Sequence, residues 1–229
     1  MRGKIFGIGF HKTGTRSLYL ALREMGIRAA HWEETQKIVE RLNCKQEYED
    51  LVDPWEAMMD LPIPLLYKEL DAKYQASKFI LTVRDEASWL RSVQRWTSTP
   101  ARQDGKFHPS ERMLYQAEQF DLENVRKAIR EHEHDVQQYF KDRPKDLLVF
   151  NIFKGDSWPE LAEFLNKPIP SSKFPFNRPD RKITLAYKSW TKAKKIYHKF
   201  GSNPGRAFLS IAGVARQPLR NRRAKDGEI

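Results

Sequence analysis

Lys12-Thr13-Gly14-Thr15 places an amine, two hydroxyls and a glycine in four consecutive positions. Those types in that order suit the binding of an oxyanion. The residues before them, Lys4 to Gly9, form a short apolar run ending in glycine, which reads as a buried strand of a parallel sheet. Those after them, Thr15 to Met25, carry Leu18, Leu20, Leu22 and Met25 at roughly helical spacing, with Gly26 as a stop. The four residues therefore lie in a turn that opens a helix. Backbone N–H groups at a helix N-terminus carry partial positive charge and attract anions. Gly14 lets the backbone approach the anion, Lys12 adds a full charge, and Arg16 and Ser17 extend the same turn.

Arg84 and Ser92 are a second pair of side chains of interest, one at a strand end and one on the helix after it. Lys78 to Arg84 is a β-branched and aromatic apolar run with a charge at its carboxyl end, which reads as a strand. Asp85 suits a helix N-cap, and Glu86 to Trp96 reads as the helix that follows. Ser92 comes eight positions after Arg84, two helical turns into that helix. A guanidinium grips a phosphate through parallel hydrogen bonds, and a hydroxyl completes the oxygen shell.

Alternating strands and helices must position these residues. Arg28 to Trp32 reads as a short strand ending at His31, and ends of parallel strands are where α/β sheets place functional groups. Glu33 to Asn43 reads as a charged helix, and Tyr48 to Met59 as a helix or loop–helix with Pro54 at a start position. Pro62 and Pro64 break regular structure and put Asp60 on a loop edge. Tyr67 to Tyr74 resumes as helix. Thr97 to Ser110 reads as a mobile loop, and Glu111 to Phe140 as one or two helices. Asp146 to Asn151 is a third clear strand, and Trp158 to Leu165 a short helix. His132 and His134 read as part of a solvated helix face. Without cysteine or carboxylate partners at ligand spacing, no metal site is expected. The alternation over residues 4 to 166 indicates an α/β fold, a largely parallel sheet covered on both faces.

Charge divides the chain in two. Residues 178–229 hold fourteen Lys/Arg against three Asp/Glu, a net of +11, which is the net charge of the whole chain. Residues 1–177 are therefore neutral. In the tail, Ile183, Ala186, Tyr187, Trp190, Ala193, Tyr197 and Phe200 recur at helical steps, with lysines 188, 192, 195 and 199 on the rest of the turn. This predicts an amphipathic basic helix, whose aromatic stripe packs on the domain or lies on an anionic membrane. The basic segment suggests an acidic surface as partner: anionic lipid, nucleic acid without sequence preference, or a sulfated polymer. The single cysteine, Cys44, fits a reducing compartment as a buried bystander thiol. No secretory signal core or spanning-length apolar run is present, so a cytoplasmic protein is expected, at most peripheral to a membrane.

The loop does not follow the nucleotide-triphosphatase pattern, which needs glycine directly before lysine. Here His11 holds that position and Gly14 follows the lysine by two. The order Lys-Thr-Gly-Thr instead resembles the 5′-phosphosulfate loop of sulfotransferases. Arg84 with Ser92 is similar to the strand-end arginine and helix serine of those enzymes. Leu148-Val149-Phe150-Asn151, then Gly155, Trp158, Leu161, Pro168, Pro170 and Phe174-Pro175-Phe176-Asn177, look like the closing segment of a bacterial-type sulfotransferase family. The likeness spans about residues 3 to 177, in order, and leaves the tail outside. It divides the chain into a sulfotransferase domain, 1–177, and a basic C-terminal extension, 178–229.

That resemblance implies a three-layer α/β/α P-loop sulfotransferase-like fold with a parallel central sheet. It implies 3′-phosphoadenosine 5′-phosphosulfate as sulfuryl donor, 3′-phosphoadenosine 5′-phosphate as product, and no metal. Lys12, Thr13, Gly14 and Thr15 would hold the 5′-phosphosulfate, with Arg16 and the Ser17 hydroxyl on the same turn. Lys12 would also stabilise charge on the bridging oxygen as the sulfuryl group leaves. Arg84 and Ser92 would hold the 3′-phosphate. Arg181-Lys182 resembles an Arg-Lys-Gly of cytosolic members, without the glycine.

Cytosolic members place a His-Leu-Pro about twenty residues before the 3′-phosphate arginine; here that place holds Asp60-Leu61-Pro62. Asp60 is the first candidate general base, although an unperturbed aspartate titrates near ~3.9, a poor match to an alcohol proton. A lysine two residues before the histidine in those members is replaced here by Met58. His31, with an ordinary value near ~6.5, is the second candidate. Glu34 is the third, since heparan-type members use a glutamate near this offset. The expected reaction is in-line sulfuryl transfer to a hydroxyl, or as second choice an amine, of an acceptor the sequence does not name. An ATP/Mg-dependent small-molecule kinase, with Asp85 near the metal, is the rival enzyme. A nucleotide- or membrane-binding module without turnover is the rival of another class. Oligomeric state is not written in the sequence.

Overall fold

A computed structural model describes residues 3–98 and 106–176. The basic extension, with its expected amphipathic helix and Arg181-Lys182, lies outside the described residues, as does part of the loop between 97 and 110.

Five strands form one sheet: β1 (Ile5–Gly7), β2 (Ala29–Ala30), β3 (Ala57–Met59), β4 (Lys78–Thr82) and β5 (Leu147–Phe150). Their order is β2-β3-β1-β4-β5, and every pairing is parallel. Phe6 on β1 stands beside Met58 on β3 and Phe79 on β4. Strand side chains alternate between faces, and the core divides accordingly. Phe6, Met58, Phe79 and Leu81 join one buried cluster, with Ile38, Leu70, Val136 and Phe140. Ala57, Met59 and Ile80 join another, with Leu18, Leu22, Trp158 and Leu161.

Helices supply the second half of each cluster. On the first face lie α2 (Trp32–Asn43), α3 (Glu49–Val52), α4 (Tyr67–Lys73) and α7 (Leu122–Tyr139); on the other, α1 (Thr15–Glu24) and α8 (Trp158–Leu165). This is the three-layer α/β arrangement with a parallel sheet. A third cluster sits over the carboxyl edge of the sheet. There α5 (Glu86–Thr97), α6 (Pro109–Tyr115) and α7 enclose Phe10, Trp89, Val93, Phe107, Leu114 and Ile129. The closing segment packs back on the domain: Phe174 meets Trp158 at 4.9 Å and Phe150 at 5.9 Å between ring centroids, and Trp158 Nε1 donates to the Ser172 carbonyl (2.7 Å).

Two expectations are corrected here. Residues 48–59 are not one helical segment: α3 covers only Glu49–Val52, and Ala57–Met59 is a strand. Local propensity did not announce that strand; pairing with β1 on one side and β2 on the other imposes it. Cys44, expected buried, is exposed at the C-cap of α2. No helix among the described residues is long and apolar enough to cross a membrane.

Candidate active site

All five strands end at one edge, and residues there fall in a fixed spatial order. His31 follows β2, Asp60 follows β3, the Lys12 loop follows β1, Arg84 follows β4, and Ile152 and Phe153 follow β5. With neighbouring strands about 4.8 Å apart, β2 and β4 are roughly 14 Å apart. The loop therefore stands between the two flanking groups.

The loop is held by its own backbone and by β4. Thr13 Oγ1 donates to the Phe10 carbonyl (2.5 Å) and shares a hydrogen bond with Thr82 Oγ1 (2.6 Å). The Thr13 side chain is fully buried, so its hydroxyl shapes the loop from inside. Gly9 passes so close to β4 that a Cβ there would stand 2.0 Å from Thr82 Oγ1 and 2.3 Å from the Thr82 carbonyl oxygen. Gly14, at φ 111°, is the N-cap of α1. An α-helix leaves its first four N–H groups unbonded within the helix, and Gly14 has no side chain to take them. A Cβ at Gly14 would also lie 2.9 Å from Ile152 Cδ1. The geometry is that of an anion cradle, with Thr15 and Ser17 buried at its floor. Lys12 itself adopts φ 67°, and its ammonium lies 3.6 Å from the centre of the Trp96 ring.

Arg84 stands on the β4 side of the loop. Its Nη1 donates to the Lys12 carbonyl (3.1 Å), and its Nε (3.0 Å) and Nη2 (2.7 Å) both donate to Ser88 Oγ. Phe153 packs on the guanidinium at 4.1 Å. The neighbouring carboxylates are engaged elsewhere: Asp85 caps α5 by accepting from Ser88 N (2.9 Å), and Glu86 pairs with Arg126 and Arg130. Burial, then Arg95 and Arg91 nearby, hold the Arg84 pKa below its ordinary value. An anion placed here would meet a guanidinium that already lacks full hydration. Ser92 lies one turn beyond Ser88 on α5 and is half-buried.

On the β2–β3 side, two base candidates are one unit. His31 Nδ1 lies 3.4 Å from Asp60 Oδ2. Asp60 is 6 % exposed, sits at φ 79°, and its Oδ1 accepts from Leu61 N (2.9 Å). Both carboxylate oxygens thus have partners. His31 Nε2 is closed to solvent and has no hydrogen-bond partner. A proton on Nδ1 facing Asp60 leaves Nε2 with an open lone pair. Burial pushes the His31 pKa down; Asp60 opposes that, Arg16 adds to it and Glu34 opposes it. Glu34 is on the first turn of α2, half-buried.

Several residues that hold the site were not singled out in the sequence. Ser88 is one, since it occupies the Arg84 fork ahead of Ser92. Trp89, fully buried, donates from Nε1 to the His11 carbonyl (2.9 Å), and His11 Nε2 shares a 2.5 Å hydrogen bond with the Tyr115 hydroxyl. Trp96 Nε1 donates to buried Glu111 Oε1 (3.1 Å), which fixes the ring beneath Lys12. His132 corrects an expectation: it is not on a solvated face. Its Nε2–H donates to the Ile8 carbonyl (2.7 Å), its ring stacks on Phe10 at 4.3 Å, and burial pushes its pKa down to about 4. His134 is exposed.

Residues 4–182 match a protein family described as a sulfotransferase domain. The chain belongs to this sulfotransferase family. A relative, Ava biosynthesis cluster protein M from Aspergillus versicolor, is 24 % identical over 248 residues, covering 92 % of this chain and 95 % of the relative. In this sulfotransferase the matched region contains the Lys12 loop, Asp60 with His31, Arg84, and the start of the basic extension through Lys182. A transferase activity of sulfotransferase type follows from the family.

Proposed function

We propose that this chain moves a sulfuryl group from 3′-phosphoadenosine 5′-phosphosulfate to a hydroxyl of an acceptor, by in-line displacement and without a metal. The observation that carries the reading is the hydrogen bond from Arg84 to the Lys12 carbonyl (3.1 Å), which ties two cationic oxyanion sites together beside an imidazole–carboxylate pair. The donor has two anionic ends, and the residues fit them. The Lys12–Ser17 turn holds the 5′-phosphosulfate, and Arg84 with Ser88 and Ser92 holds the 3′-phosphate, with Arg181-Lys182 as further candidates.

The proton inventory assigns roles on the other side. His31 Nε2 takes the acceptor proton. Asp60 holds the imidazole in the tautomer that leaves Nε2 open and stabilises the imidazolium that forms. Lys12 moves from the Trp96 face to meet charge developing on the bridging oxygen. The relative's name ties it to a biosynthesis cluster, which favours a small-molecule acceptor over a polymer. The basic segment 178–229 is the part proposed to meet an acidic surface, an anionic membrane in particular.

Calorimetric titration with 3′-phosphoadenosine 5′-phosphate in EDTA, beside ATP with magnesium, tests the donor site. Binding of the bisphosphate that Arg84→Ala weakens by at least about 100-fold, the ~3 kcal/mol of a charged hydrogen-bond partner, is the expected result. ATP binding only with magnesium, and none of the bisphosphate, points to a kinase instead.

A further inference from the structure

The acceptor is the open half of the reaction, and the ends of β2 and β3 carry information about it. His31 is surrounded by rings. The Tyr19 ring, on the second turn of α1, lies 5.3 Å from the His31 imidazole and is tilted 47° to it. Trp32, the next residue, lies 5.1 Å from the His108 imidazole, which stands at the N-cap of α6. Two ring pairs thus lie at the end of β2, one made by His31 and the other by its chain neighbour Trp32. Trp32 is half-buried.

Water is excluded from the base. His31 Nε2 has neither solvent contact nor hydrogen-bond partner. A group that donates to it must arrive without its hydration shell, which suits a hydroxyl carried on a flat apolar body.

Acid strength points the same way. Burial keeps His31 below its ordinary value, so it is a weak base. A phenol, like the tyrosine side chain, releases its proton near ~10. An aliphatic hydroxyl is a far weaker acid, close to water. Proton transfer to a weak base is far better matched to the phenol.

We propose that the acceptor is a phenol whose ring lies against Trp32 and whose hydroxyl addresses His31 Nε2. This rests on the sulfuryl-transfer reading. In the step, the phenolic oxygen bonds to sulfur as the bond from sulfur to the bridging oxygen breaks. The phenolic proton passes to His31 Nε2. The electron pair of the broken bond leaves with 3′-phosphoadenosine 5′-phosphate, facing Lys12.

Paired acceptors that share a ring test this. The purified full chain, with donor, is offered 2-naphthol beside 2-naphthalenemethanol, and 4-nitrophenol beside 4-nitrobenzyl alcohol. Sulfated product and released bisphosphate are quantified together. The phenol of each pair should exceed its benzylic partner in kcat/KM by at least ~100-fold, the scale of a well-matched proton transfer. Trp32→Ala should raise KM for the phenol about tenfold, as loss of an aromatic contact worth ~1.4 kcal/mol does, and leave bisphosphate affinity unchanged. Benzylic alcohols turned over as well as phenols, or no phenol sulfated while the bisphosphate still binds, would overturn the proposal and leave the donor reading standing. No bisphosphate binding in EDTA overturns both.

Discussion

The Arg84 guanidinium donates to the backbone carbonyl of Lys12 at 3.1 Å. This bond joins the end of β4 to the turn that opens α1, across the sheet edge. Nε and Nη2 of Arg84 both donate to Ser88 Oγ. On the proposed reading, a phosphate that takes hold of Arg84 also acts on the residue whose amine serves the sulfuryl end of the donor.

Ser88 should matter for the donor as much as Ser92. Its hydroxyl orients the Arg84 fork, and a neutral hydrogen bond contributes about 1 kcal/mol. Ser88→Ala is expected to weaken 3′-phosphoadenosine 5′-phosphate binding about fivefold by calorimetry, with kcat at saturating donor little changed. Unchanged affinity would show that Ser88 only caps the guanidinium between turnovers.

The His31–Asp60 pair predicts a division between chemistry and binding. Loss of a general base costs roughly 10²–10⁴-fold in kcat. His31→Ala is expected to fall in that range while bisphosphate affinity stays within twofold. Asp60→Asn should cost less and should move the acid limb of the pH–kcat/KM profile downward. The sign follows from the site: burial already lowers the His31 pKa, and Asp60 is the group that raises it. An acid limb that rises in Asp60→Asn, or full activity in His31→Ala, would remove the pair from the proton path.

Gly9 is expected to tolerate no side chain. The clash of an added Cβ is with the Thr82 backbone carbonyl as well as its hydroxyl, so no rotamer relieves it. Gly9→Ala should cost about 1–3 kcal/mol, lower Tm by roughly 2–4 °C per kcal/mol, and weaken bisphosphate binding by displacing the loop. A variant with wild-type Tm and affinity would contradict the close approach of β1 to β4.

His132 makes the loop's support depend on pH. Its folded pKa of about 4 lies below the ordinary ~6.5, so the neutral ring is the form that stabilises. That stabilisation is complete above about 6.5 and is lost as pH falls through about 4. Glu133 beside it is pushed up to about 7 by burial and by Glu86, and responds in the opposite direction as pH rises. The quantity to read is therefore the difference between wild type and His132→Phe in urea denaturation across pH 4 to 7. That difference should shrink by a few kcal/mol on acidification, at roughly 1.4 kcal/mol per pKa unit. A difference that does not change with pH would place His132 in water.

The sequence showed β1, β4 and β5 because each is an apolar run closed by a glycine, an arginine or an asparagine. It hid β3. Ala57-Met58-Met59 has no β-branched residue, and its strand state comes from two neighbours far along the chain. Once β3 is a strand beside β2, Asp60 and His31 become adjacent. Reading the same residues as a helix left them as rivals for one role, where the fold makes them partners. The placement of Ser88 ahead of Ser92 was equally hidden, because spacing gives helix phase but not where a guanidinium turns. His132 lies 124 positions from the carbonyl it supports, and no local pattern separates it from a solvated histidine.

Incubation of the purified chain with donor labelled at the sulfuryl sulfur, in EDTA and with a panel of hydroxylated acceptors, tests the central claim most directly. The account predicts label in an organic product, formed in equal amount with 3′-phosphoadenosine 5′-phosphate and abolished in Lys12→Met. Label that stays on the donor, while the γ-phosphoryl group of ATP reaches an acceptor in magnesium, would contradict it.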